Sequence, residues 1–143
     1  PDMGGSKRAY AYSKFLKSDV VICYKQRSKS NIISHMEVIG EVKGKNIILV
    51  DDMVDTAGTL TKAADLMIER GAKSVRAICT HAILSGNAVE KIENSNLLEL
   101  IVTDSIPSKQ SSQKIRILSC APLFSEVMKN VHNNLSISSN FIT

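Results

Sequence analysis

The sequence has no tryptophan and only three tyrosines and three phenylalanines. So few aromatic rings leave little to stack bases on, and nucleic acid is not expected as a partner despite a net charge of +4. A modest positive excess suits a small phosphorylated substrate equally well. Long apolar runs are missing too, and none approaches the roughly 20 residues that cross a bilayer. Nor does a charged start lead into an apolar run with a small-residue cleavage site. No membrane association is expected. Cys23, Cys79 and Cys120 are odd in number and show no C-x-x-C spacing. Each lies in or just after an apolar segment, where a thiol behaves as a small hydrophobe. That argues against a disulfide framework or a zinc site and for a reducing, cytoplasmic setting. The G-x-x-x-x-G-K-[ST] pattern of a Walker loop is also missing.

What is present is enough for one domain. The 143 residues are 43% apolar and 22% charged, which is globular and too short for two cores. The chain begins at Pro1, in what looks like a loop entering a helix, and is expected to be a piece of a longer protein. Short, β-branched runs fall at Val20 to Tyr24, Ile47 to Val50, Val75 to Cys79, Leu100 to Val102 and Ile115 to Leu118, with Met36 to Ile39 as a further candidate. They suit strands buried on both faces. Helical stripes lie between them. Ala9, Tyr12 and Leu16 mark the first, and Leu60, Ala63, Ala64, Met67 and Ile68 the clearest. Gly71 follows as a left-handed helix end. A weaker helix runs from about Asn87 to Glu93. Phe124, Val127, Met128 and Val131 stripe the last, with Pro122 tolerable in its first turn. Asn31 to Met36 and Ser108 to Lys114 read as loops, and the tail after Asn133 is polar. Alternating strands and helices predict an open, mostly parallel α/β sheet covered on both faces by helices.

In such sheets ligands bind outside the carboxyl ends of the strands. Lys25 and Arg27, Asp51 and Asp52, His81, and Asp104 all follow strand-like runs, so parallel pairing would gather them at one rim. The strongest element is Asp51 to Thr59. An apolar strand stops at two carboxylates, and Asp55-Thr56-Ala57-Gly58-Thr59 then leads into the clearest helix. Small and hydroxylated residues at a helix start leave backbone N–H groups open to an anion, and the helix dipole adds attraction. Carboxylates repel phosphate, so Asp51 and Asp52 suit sugar hydroxyls or a hard cation such as Mg²⁺. A phosphate cradle beside hydroxyl acceptors describes a sugar phosphate. Helix capping alone would explain one Asp or Thr here. It does not explain three aspartates and two threonines in nine positions.

Asp51-Asp52-Met53-Val54-Asp55-Thr56-Ala57-Gly58-Thr59 resembles the phosphoribosyl-diphosphate motif of ribose-phosphate pyrophosphokinases. Pro1-Asp2-Met3-Gly4-Gly5, Lys25-Gln26-Arg27, Thr80-His81 with Leu84 to Ala88, Val102 to Pro107, and His132-Asn133-Asn134 match the same family in order. The resemblance covers essentially the whole chain and about the second half of the family's usual length. It implies a single phosphoribosyltransferase-like (type I) domain over residues 1–143. It also implies transfer of the diphosphate of ATP to ribose 5-phosphate, giving 5-phosphoribosyl 1-diphosphate and AMP, with Mg²⁺ as cofactor in a homo-oligomer. By the same resemblance Asp51 and Asp52 contact the ribose, and Asp55, Thr56, Ala57, Gly58 and Thr59 hold the 5-phosphate. Asp2 is a magnesium ligand, and Gly4 and Gly5 form a loop that the diphosphate approaches. Lys25 and Arg27 are the catalytic cations on a mobile loop, Arg27 also facing the substrate. Tyr24 and Gln26 depart from the commoner pattern without removing either cation. His35 and His132 read as structural, and His81 is left open. Two rivals remain: a phosphoribosyltransferase, which does not account for Asp55 or the Lys25-Gln26-Arg27 pair, and a non-catalytic relative regulating active subunits. The isolated fragment is expected to bind sugar phosphate weakly and to turn over little.

Overall fold

The computed structural model describes residues 6–29, 32–107 and 112–141, without the side chains of residue 6 and of residues 25–35. Helix α1 (Ser6–Leu16) leads into strands β1 (Ile22–Lys29) and β2 (Ile32–Ile39). Four strands follow, β3 (Asn46–Val54), β4 (Ser74–Ala82), β5 (Glu99–Thr103) and β6 (Ile115–Leu118). Helix α2 (Gly58–Glu69) connects β3 to β4, α3 (Ala88–Asn94) connects β4 to β5, and α4 (Ala121–His132) follows β6. The four strands form one parallel sheet in the order β3-β4-β5-β6, with Asp51 opposite Cys79 and Met53 opposite His81. Each parallel step needs a crossover: α2 and α3 supply the first two, and among the described residues no helix lies between β5 and β6.

Burial explains why these segments take these forms. Val75, Leu100 and Val102, from the two middle strands, and Met67, Ile92 and Leu97, from or beside α2 and α3, are all at most 2% exposed. Ala63, Ala64 and Met67 of the clearest stripe face inward, with Leu60 and Ile68 half-buried beside them. Gly71 takes φ +89, where an added Cβ would come within 3.3 Å of Lys43 Cγ, so the helix end is one that glycine suits.

Three expectations change. The first apolar run does not join the parallel sheet: β1 pairs antiparallel with β2 in a separate ribbon, Tyr24 opposite Glu37 and Lys25 opposite Met36. Lys25 and Arg27 therefore lie within a strand rather than beyond its end. The segment 31–36, read as a loop, is strand from Ile32 onward. Each strand of a ribbon supplies the ladder bonds the other lacks, and a pattern read one segment at a time does not register that. Finally, α4 is striped as expected but buries none of its residues. Phe124, Met128 and Val131 stay 58%, 64% and 58% exposed.

Asp104 accounts for how α4 begins. Its carboxylate accepts from the Cys120 amide at 2.7 Å, just before the first helical residue. This bond and the Ser119 side chain lower the Asp104 pKa below the ordinary carboxylate value. An acid with a depressed folded-state pKa stabilises fully above its unfolded pKa and loses that contribution as pH falls through the folded value. Acidification should therefore lower the protection factors of the Cys120 and Phe124 amides, relative to the intrinsic exchange rate at each pH, before those of the sheet. Asp104→Ala should reproduce that loss at neutral pH, as read by hydrogen exchange.

Candidate functional site

The C-terminal ends of β3 and β4 and the start of α2 form the rim on which the sequence motif falls. β3 buries Leu49 and Val50, leaves Asp51, Asp52 and Met53 open, and ends at the buried Val54, so the chain leaves the sheet at Asp55. Ala57 is the residue that decides the next step. It occupies the N-cap of α2 with φ 58 and ψ −1, a left-handed conformation that costs an alanine roughly 1–2 kcal/mol. A methyl group cannot cap a helix either, and losing a polar cap costs a further ~0.5–2 kcal/mol. Neither Asp55 nor Thr56 makes good the deficit, because no side chain caps this helix. Among the described residues the amides of Thr56, Ala57, Gly58, Thr59 and Leu60 all lack an acceptor within the protein. The Thr56 and Thr59 hydroxyls are equally without a partner there. Two local penalties are thus tolerated where the Ala57 methyl packs into the core, and the helix start is left able to receive an anion.

Asp55 is held away from the open amides. Its carboxylate accepts from the Ser85 hydroxyl, and its carbonyl from the Ser85 amide at 3.1 Å. Its negative charge is thereby aimed at the β4–α3 segment. Gly58 leaves clearance, since an added Cβ would find only Thr56 Oγ1, at 3.9 Å.

Asp51 and Asp52 sit side by side above the same rim, and Arg8 of α1 reaches both, at 3.9 and 3.2 Å. Burial, with the neighbouring Asp52, pushes Asp51 above the usual carboxylate range. The hydrogen bond with Asp51, then backbone contacts and Arg8, pull Asp52 below it. One acid of the pair thus stays charged while its neighbour titrates more easily, a common arrangement where carboxylates do chemical work. Arg8 was not found from the sequence. It is one cation on an ordinary helix face, and only the docking of α1 brings it 44 positions along the chain to Asp52.

The rest of the rim divides by role. His81 Nδ1 lies 3.0 Å from the Ser105 hydroxyl, which also lies 3.1 Å from the Thr80 carbonyl. The Thr103 hydroxyl also reaches the Thr80 carbonyl, at 2.7 Å, so the His81 tautomer sets which partner of the His81–Ser105 pair donates. Burial pushes the Cys79 thiol up to about 11, which makes it a packing group rather than a nucleophile. Asp104 is engaged by the start of α4. A cavity of about 470 Å³ lies at the other end of β3, lined by Tyr12, Leu16, Val21, Ile48 and Met67 among others. Ser13, Lys17, Asp19, Lys45 and Asn46 also line it, with Lys45 paired to Asp19 at 2.8 Å, whereas the sequence motif falls on the rim. Asp2, Gly4 and Gly5, assigned to diphosphate and metal, lie outside the described residues, as do the side chains of Lys25, Arg27 and His35.

Known proteins resemble this chain over nearly all of its length. The family described as phosphoribosyl synthetase-associated domain matches residues 4–142. Ribose-phosphate pyrophosphokinase from Campylobacter jejuni is 51% identical over 142 residues, which is 99% of this chain and 46% of that protein. The Porphyromonas gingivalis protein of the same name is 52% identical, over 96% of this chain and 44% of its own length. The chain belongs to the ribose-phosphate pyrophosphokinase family. A crystal structure of phosphoribosylpyrophosphate synthetase from Mycobacterium smegmatis superposes with a TM-score of 0.84 at 34% identity, over 94% of this chain and 44% of that one. The parallel sheet and flanking helices are thus the fold of a pyrophosphokinase, and the chain spans less than half the length of these curated relatives.

Within the pyrophosphokinase frame, Ser85 and Lys91 join Arg8 as residues sequence reasoning did not single out. Ser85 stood inside a matched segment but bore no assigned role, and its bond to Asp55 spans 30 positions. Lys91 gave no signal beyond a lysine on a short helix.

Proposed function

We propose that this chain is the ribose-phosphate half of a ribose-phosphate diphosphokinase, which transfers the diphosphate of ATP to the C1 hydroxyl of ribose 5-phosphate. The observation that carries the reading is the uncapped start of α2, open to an anion, next to a pair of carboxylates suited to sugar hydroxyls. The 5-phosphate seats on the amides of Asp55 to Thr59, and the Thr56 and Thr59 hydroxyls complete the cradle. Asp51 and Asp52 accept from the ribose hydroxyls and orient C1, displacing Arg8 or sharing it. The C1 oxygen then bonds to the β-phosphorus of ATP and loses its proton, while the α–β bridging oxygen departs with AMP. Negative charge accumulates on the transferred diphosphate, and Lys25 and Arg27 on the β1–β2 ribbon are the cations to neutralise it. Closure of that ribbon would exclude water and complete the site.

Mg²⁺ fits as cofactor on chemical grounds. It prefers oxygen ligands and is usually held by one or two carboxylates plus substrate phosphates rather than by a full protein cage. In a shared site of that kind Asp2 would be the protein ligand. When bound, the ion supplies charge neutralisation at the diphosphate. Homo-oligomerisation is supported by the exposed apolar face of α4, since apolar patches of this kind mark association surfaces. A cytoplasmic setting fits the cysteine usage, and no helix among the described residues is long and apolar enough to cross a membrane.

The test is an assay of the full-length protein with ATP, Mg²⁺ and ribose 5-phosphate. AMP should appear in step with ribose 5-phosphate consumed. ADP in its place would mean single-phosphoryl transfer and overturn the reaction class, and no nucleotide product would favour a regulatory relative. The 143-residue chain alone should bind ribose 5-phosphate and release little AMP. Full turnover by that chain would contradict its assignment as the acceptor half.

A further inference from the structure

Lys91, on α3, donates from Nζ to the Thr56 carbonyl oxygen at 3.2 Å. Its position is electrostatically odd. A cation is unfavourable at the positive end of a helix, yet this one is directed at the residue two positions before α2 begins. Among the described residues it has no ion-pair partner. The nearby carboxylate, Asp55, is bonded to Ser85 instead. The arrangement is unfavourable for the empty protein and favourable once an anion occupies the rim.

Peptide geometry supplies a second argument. The described chain has no cis peptide bond, and in a planar trans peptide the C=O and the following N–H point in opposite directions. Ser85 N–H holds the Asp55 carbonyl, so the Thr56 N–H faces away from the β4–α3 segment. Lys91 holds the Thr56 carbonyl, so the Ala57 N–H faces away as well. Both amides are without an acceptor among the described residues. Ala57 is the residue in the strained left-handed conformation, and a strained peptide needs an outside hold to stay in one orientation.

We propose that Lys91 is a positioning residue for the 5-phosphate site: it fixes the Thr56–Ala57 peptide with its amide turned to the anion and adds a positive charge behind the loop. This rests on the reading of the rim as a ribose 5-phosphate site, and it deepens that reading by assigning a residue outside the motif.

The experiment titrates the 143-residue chain with ribose 5-phosphate by calorimetry and by ¹⁵N–¹H NMR, comparing wild type, Lys91→Met and Lys91→Arg. Wild type should bind, with large shifts at the Thr56 and Ala57 amides. Lys91→Met should bind roughly tenfold more weakly, the scale of one charge-assisted hydrogen bond, with a reduced Ala57 response. Lys91→Arg should recover most of the affinity. Wild-type-like binding by Lys91→Met would overturn the role of Lys91 and leave the site intact. Failure of wild type to bind ribose 5-phosphate would overturn the site and the proposal together. If Lys91→Met does not fold, wild type still decides: an Ala57 amide unmoved by ribose 5-phosphate refutes the positioning.

Discussion

Replacing both Asp51 and Asp52 with asparagine should lower kcat/KM for ribose 5-phosphate in the full-length protein by about two to four powers of ten while leaving the fold intact. A charge-assisted hydrogen bond is worth about 1.5–3 kcal/mol, so losing two sets a loss of roughly two to four powers of ten. Asparagine keeps the shape and one acceptor oxygen, so the comparison isolates charge. The stability side runs in the opposite direction. Asp51 titrates above its ordinary value because burial and Asp52 disfavour its ionised form. An acid with a raised folded-state pKa destabilises the fold above that pKa, and the penalty vanishes below the unfolded value. Asp51→Asn removes the penalty, so at neutral pH its melting temperature should equal or exceed that of wild type. A variant that lost stability along with activity would mean that the pair is structural, and the ribose assignment would fall. Arg8, freed from two carboxylates, is a useful reporter: its guanidinium NMR signals should sharpen or shift in the variant.

Leu100→Ala should destabilise the domain by about 2–5 kcal/mol, the range for deleting a fully buried leucine side chain. Leu100 lies in β5, between β4 and β6, and is wholly buried. Total stabilities of domains this size are about 5–15 kcal/mol, so the urea midpoint should fall by a large fraction without a change in slope. Met128→Ala on α4 is the contrast. That side chain is 64% exposed, and surface substitutions usually stay within about 0.5 kcal/mol. If both variants lost equal stability in this chain, the core would lie elsewhere than between α2, α3 and the sheet. In the proposed homo-oligomer the contrast should narrow, because an interface over α4 would bury Met128. Gel filtration of Met128→Asp at matched concentration reads that directly.

The two substitutions mark how far a sequence reading reaches. Leu100 and Met128 both sit in recognisable periodic patterns, and nothing in either pattern distinguishes a buried stripe from an uncovered one. Periodicity reports which side chains share a face, not whether another element covers it. The ribbon is the same problem in another form. Ile32 and Ile33 are ordinary strand formers, but strand pairing is a relation between two segments, so segment 31–36 read as a loop until its partner was in place.

The loop from Asp51 to Thr59 was legible because its chemistry is local. Two acids at a strand end followed by small and hydroxylated residues at a helix start can do only a few things, and consecutive residues cannot drift apart on folding. The four parallel strands and their crossover helices were legible for a related reason: alternating β-branched runs and helical stripes admit few topologies. The tertiary structure alone decided what holds that loop open. Arg8 on the acids, Ser85 on Asp55 and Lys91 on Thr56 come from 44, 30 and 35 positions away. Contacts across such distances depend on how helices dock on the sheet, which no local pattern encodes. So did the left-handed turn at Ala57, which a sequence offers no reason to expect of an alanine. The sequence by itself determined that the acids, threonines and glycine of this loop stand together; the fold decided which way their amides and carboxylates face, because orientation is set by partners distant along the chain.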